Sequence, residues 1–163
     1  MKVIHEFKEK LAVGKEGEKI LDTFFKTVLG VEESIPATLN QEFSIGYDRK
    51  LIKNGKSCLI EYKTDDKGIE TGNVFIEVIS NNNTRRKGWI LTSKADWIAI
   101  LVNPMIYLMS MPELQAYMKE NGPKYPYKTS QNKTYYSEGY CMPITDLKLI
   151  TSLKTYNIDK DSK

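Results

Sequence analysis

One histidine and two cysteines are all that 163 residues offer to soft-metal or thiol chemistry. Zinc modules built on several histidines or on four cysteines are therefore excluded. A Ser-His-Asp or Cys-His centre would have to use His5, in the first few residues of the chain, and His5 is left without a role. Cys58 and Cys141 form no C-x-x-C pair and read as reduced thiols. No apolar run approaches the ~18 residues of a membrane helix, and the opening Met-Lys-Val-Ile-His-Glu has no apolar signal core. These absences predict a soluble, cytoplasmic protein with no membrane partner. Repeats and Pro-, Gly- or Ser-rich linkers are also lacking, which predicts one domain over residues 1–163. The 24 Lys and Arg against 21 Asp and Glu leave a net charge of +3, too little by itself to imply nucleic acid. Catalysis by such a chain must rest on carboxylates, lysines and a hard metal ion.

What is present predicts an α+β fold with a mixed sheet flanked by helices. Ile20, Leu21, Phe24, Phe25, Val28 and Leu29 recur at helical spacing, so residues 14–29 are expected to be a helix ending at Gly30. Lys15, Lys19, Asp22, Thr23 and Lys26 fall on the opposite face, and Glu18 on the rim of the apolar stripe. Residues 42–53 and 56–64 read as strands joined by Asn54-Gly55, the dipeptide that suits a type I′ hairpin turn. Residues 73–80 alternate as a third strand of the same meander. A polar loop over 81–88 and a short helix or turn over 89–96 follow. Residues 97–102 (Trp-Ile-Ala-Ile-Leu-Val) suit a strand buried on both faces. Asn103-Pro104 turns the chain into a strand over 105–110, and residues 112–121 are expected to be a helix. A Tyr- and Lys-rich stretch covers 124–140, residues 146–155 are expected to be helical, and 159–163 to fray. The core is placed at about 14–110, with 111–163 as a packed extension.

The hairpin sets a register that carries the chemistry. A two-residue turn pairs Lys53 with Lys56, Ile52 with Ser57, Lys50 with Leu59, and brings Asp48 opposite Glu61, with Lys63 on the same face as Glu61. Two carboxylates facing across a ladder repel, which invites a compensating cation. Asp48, Glu61 and the intervening Tyr62 carbonyl offer a hard ion three oxygens, a set suited to Mg²⁺ or Mn²⁺. Such an ion activates water and polarises a phosphoryl oxygen, and Lys63 beside it can orient the water or stabilise transition-state charge.

Asp48, the run Glu61-Tyr62-Lys63 after a short hairpin, and Glu18 on a preceding helix resemble the PD-(D/E)XK nuclease superfamily, in the manner of its small resolvase-like members. The order helix, three strands, helix, strand over roughly residues 14–103 is similar to its restriction-endonuclease-like αβββαβ core. The resemblance implies a metal at Asp48 and Glu61, Lys63 in the catalytic-lysine position, and Glu18 as an accessory helix carboxylate. Tyr47 stands where the superfamily's name has proline. The implied activity is Mg²⁺-dependent hydrolysis of phosphodiester bonds in DNA, duplex or branched, with RNA and homodimerisation left open. With nearly the whole chain spent on one core, recognition of DNA structure is expected over recognition of a defined site. An inactive DNA-binding module on the same fold and a metal-free interaction protein are the alternatives.

Several residues keep two readings. Glu77 alternates with Phe75 and Ile79, and either reaches the acidic pair or faces a sheet edge. Asp96 reads as a cap or turn residue. Arg85, Arg86 and Lys87 are phosphate contacts or an ordinary solvated loop. The tyrosines and lysines of 124–136 form a stacking platform or, more simply, fill a small core.

Overall fold

The computed structural model describes residues 2–161, with side chains from Glu9 onward, so the side chain of His5 and the last two residues of the tail lie outside the described set. Helix α1 (Lys2–Thr27) begins twelve residues earlier than its apolar stripe requires. The stripe does what its spacing predicts: Leu21, Phe24 and Phe25 are 0–3% exposed. Burying each such side chain contributes about 1.5–3 kcal/mol. Gly17 allows the close crossing, because a Cβ there would stand 1.9 Å from the Thr64 hydroxyl.

Strands β1 (Glu33–Pro36), β2 (Arg49–Lys53) and β3 (Lys56–Thr64) form an antiparallel meander. Between β1 and β2 lies α2 (Leu39–Ser44), where alternation predicts strand. A capping box overrides that pattern: the Thr38 hydroxyl accepts from the Gln41 N–H, and the Gln41 side chain accepts from the Thr38 N–H. After a one-turn helix α3 (Gly68–Thr71), β4 (Asn73–Asn81) leaves the meander altogether. It pairs with β5 (Arg86–Lys87) and with β9 (Tyr136–Pro143), which pairs in turn with β8 (Tyr127–Gln131). The expected third strand thus belongs to a second, four-stranded sheet, and the third strand of the meander is the short β1.

A one-turn helix α4 (Trp89–Thr92) leads into β6 (Trp97–Val102), which runs parallel to β3. Ile98, Ile100 and Val102 face one core and Ala99 and Leu101 the other, so β6 is buried on both faces as its composition predicts. The chain turns at a cis Asn103–Pro104 bond into β7 (Met105–Ser110) and α5 (Met111–Asn121). Residues 144–149 form a 3-10 helix, but 154–157, expected in part to be helical, form strand β10 (Lys154–Asn157) beside β7. A helical turn α6 (Ile158–Asp161) replaces the expected fraying over 159–161, where Asp161 accepts from the Asn157 N–H.

The outcome is α+β in layers. The mixed sheet β1-β2-β3-β6-β7-β10 carries α1 on one face. Its other face packs against the second sheet, α4 and α5, with Ile98, Ile100 and Met109 meeting Ile76, Met142 and Leu114 in one core. Residues 111–161 supply β8, β9 and β10 to the two sheets, so they are integral to the layers. Among the described residues no helix is long and apolar enough to cross a membrane.

Candidate active site

Both turn residues of the hairpin have positive φ, 52° at Asn54 and 73° at Gly55, as a type I′ turn demands. The register follows: Lys53 faces Lys56, Ile52 faces Ser57 and Lys50 faces Leu59. Asp48 stands one residue outside β2. Its N–H donates to the Ile60 carbonyl (2.9 Å), and its Oδ2 accepts from the Tyr62 N–H (2.7 Å). A carboxylate therefore takes the place of a ladder carbonyl where β2 has ended. The N–H and C=O of one strand residue point to the same edge, so the Tyr62 carbonyl faces that vacated edge beside Asp48.

Alternation divides the β3 side chains between two environments. Tyr62 points to α1, where its ring stacks on Phe25 and its hydroxyl donates to Asp22 (3.0 Å). Glu61 and Lys63 point between the two sheets, and Lys63 Nζ lies 2.7 Å from Glu61 Oε1. Asp48, Glu61 and Glu77 line one cavity of about 400 Å³, together with Glu42 and Phe43 of α2, Arg86 and Lys87 of β5, Trp89 and Tyr135. A neighbouring cavity of about 490 Å³ shares Glu77 and Trp89, and includes Lys63 and three further lysines, Lys10, Lys67 and Lys128.

Charge in this cleft is unbalanced. Burial pushes the Glu61 carboxyl up; Lys63 opposes the shift, while Asp48 and Glu77 reinforce it. Burial likewise raises Glu77, against Lys63, the Ser137 hydroxyl, the Trp89 N–H and Arg86. Glu42 is raised by burial and then by Asp48 and Glu18. Burial alone would lower Lys63, but Glu61, Asp48 and Glu77 outweigh it, so the ammonium holds its proton more tightly than usual. Three carboxylates share one ammonium on this wall.

The expected site residues separate into three groups. Asp48, Glu61, Lys63 and the Tyr62 main chain come together. Glu18 does not join them: Arg49 holds it at 3.2 Å and also binds Asp22 at 3.2 Å, on the α1 face of the sheet. Of the basic run, Arg86 and Lys87 line the acidic cavity, whereas Arg85 turns away to Glu138 (2.9 Å). Glu77 reaches the cavity, and its alternation with Phe75 is the signal that marks it. Asp96 is structural, since its Oδ2 accepts from the Leu59 N–H (2.8 Å). Tyr125 packs against the core and binds Tyr117 and Asp146, as a core reading of 124–136 expects, but Tyr135 lines the cavity. Glu42 and Phe43 are missed by sequence reasoning because their segment reads as strand.

Oxygen donors on a vacated strand edge, beside a buried carboxylate in a surplus of negative charge, fit a hard divalent ion. The set is two carboxylates and a carbonyl: among the described residues no three His, Cys, Asp or Glu side chains form a ready-made metal cluster. No family model matches this chain, and neither curated proteins nor solved structures yield a match.

Proposed function

We infer that this chain is a Mg²⁺- or Mn²⁺-dependent nuclease that hydrolyses phosphodiester bonds in DNA, built on a restriction-endonuclease-like core. The observation that carries the reading is the placement of Asp48, Glu61 and Lys63 by one hairpin register, at a cavity that Arg86 and Lys87 also line. The order α1, antiparallel β1-β2-β3, α4 and β6 parallel to β3 supports the core, with β1 as its first strand.

Asp48, Glu61 and the Tyr62 carbonyl are the groups to hold the ion. When bound, a divalent ion supplies an activated water and neutralises charge on the phosphoryl oxygens. Arg86 and Lys87 hold the flanking phosphates. Lys63 keeps its proton at neutral pH, so it acts as a hydrogen-bond donor and fixed charge toward the reacting phosphate and not as a base. The proton of the attacking water then leaves to a carboxylate, and Glu77 has raised proton affinity.

One observation favours a second reading. Lys63 already neutralises Glu61, and Asp48 is already engaged by Tyr62, so the site is satisfied without an ion. That arrangement suits a DNA-binding module without cleavage. Incubating the protein with supercoiled, linear, single-stranded and branched DNA in Mg²⁺, Mn²⁺ or EDTA separates the two. Metal-dependent cleavage lost in Lys63→Ala, with DNA still bound, supports the nuclease. Binding without cleavage in any metal supports the module.

A further inference from the structure

Phe43 is the feature of the cleft that its proposed chemistry does not use. It sits on α2, a helix with a capping box but no buried residue, and it is 65% exposed. Its ring lines the acidic cavity, and the Arg86 guanidinium lies 4.3 Å from its centroid. A phosphate contact and an open aromatic face therefore stand side by side on the rim. Tyr135 lines the same cavity, in a turn held by a two-way bond between Asn82 and Tyr136.

Depth adds an independent constraint. Glu61 is 7% exposed beneath a cavity of about 400 Å³. That is the scale of a small-molecule pocket and not of a groove that seats a duplex. A phosphate reaches Glu61 only on a strand separated from its partner, whose bases have then lost their stacking neighbours.

Resting on the nuclease reading, we propose that Phe43 is a stacking platform for an unpaired base, and that the substrate is a single-stranded region: a free strand, a flap or an overhang. Arg86 takes the phosphate beside that base while one ring face is offered to the base itself. Aromatic stacking tolerates any base, so the site selects strand state and not sequence. Leu39, four residues earlier on α2 and 74% exposed, lies on the same side of the helix but has no ring to stack. It serves as the internal control for a protein contact.

The test uses the full chain with fluorescein-labelled single-stranded, flapped and blunt-duplex DNA, by anisotropy in EDTA and again with Ca²⁺. Single-stranded and flapped DNA are expected to bind more tightly than blunt duplex. Phe43→Leu should weaken single-strand binding on the order of 5- to 150-fold, while Phe43→Trp retains it. A 2-aminopurine in the strand should be quenched by the wild type and not by Phe43→Leu. Wild-type binding by Phe43→Leu overturns the proposal. So does self-association lost in both Phe43→Leu and Leu39→Ser, which marks the patch as a protein contact. If duplex is bound and cut equally well by wild type and Phe43→Leu, the platform falls and the nuclease stands. If the wild type binds and cuts no nucleic acid in Mg²⁺ or Mn²⁺, both fall.

Discussion

Replacing Lys63 by Met removes the ammonium that three carboxylates share. The Coulomb attraction to Glu61 at 2.7 Å is about 6 kcal/mol at an effective dielectric of ~20. Desolvation of Glu61 offsets several kcal/mol of this, and the Lys63 side chain is 36% exposed, so solvent screens the rest. The net loss expected for Lys63→Met is roughly 1–3 kcal/mol, or about 2–12 °C in Tm for a chain of this size. Glu61→Gln should behave differently, because it removes a buried charge and leaves Lys63 beside Asp48 and Glu77. Its cost is expected to stay below about 1 kcal/mol, and the double variant to recover most of the Lys63→Met loss. Thermal unfolding by circular dichroism in EDTA measures all three. The pH dependence has a defined sign. Glu61 and Glu77 titrate above their ordinary 4.5 in the folded state, so the folded form binds more protons than the unfolded form upward from that pH. Their contribution to stability therefore falls as pH rises through the window above 4.5, more steeply in Lys63→Met. A Lys63→Met protein as stable as wild type, or Glu61→Gln the costlier change, would refute the shared-ammonium reasoning.

Asp48→Asn should lose Mg²⁺ and Mn²⁺ affinity by calorimetry while keeping apo stability, since the Asn carbonyl can still accept from the Tyr62 N–H; unchanged metal binding removes Asp48 from the site. Arg86→Ala with Lys87→Ala should weaken DNA binding and flatten its salt dependence by ~0.9 log units per lost duplex contact. Arg85→Ala, whose partner is Glu138, should leave the slope alone, and equal slopes for the two variants would move the DNA path elsewhere. Gly88→Ala places a Cβ 2.3 Å from the Glu77 carbonyl oxygen, a backbone atom that cannot swing aside. It should cost about 1–3 kcal/mol in chemical denaturation, and a neutral result would show that β4 and α4 can separate freely.

What was legible in the sequence was local. Asn54-Gly55 specifies the turn, the period of two carries the register outward, and together they bring Asp48 to Glu61 and put Lys63 on the same face. The stripe of α1 and the unbroken apolar run of β6 are legible for the same reason, since each is a pattern within one element. The tertiary structure decided everything that depends on a distant partner. Strand β4 alternates like a meander strand, but alternation does not say which edge it joins, and its partner β9 lies far downstream in the chain. Strand β1 is short and exposed along its length, so it leaves no periodic trace. Glu18 sits where a helix carboxylate is expected, yet Arg49, on the α1 face of β2, captures it. Arg85 and Arg86 are neighbours in sequence but point to different partners, because positive φ at Arg85 turns the chain between them. Hydrophobic period and turn chemistry act over a few residues; strand pairing and charge capture act across space, and only the folded chain brings those groups together.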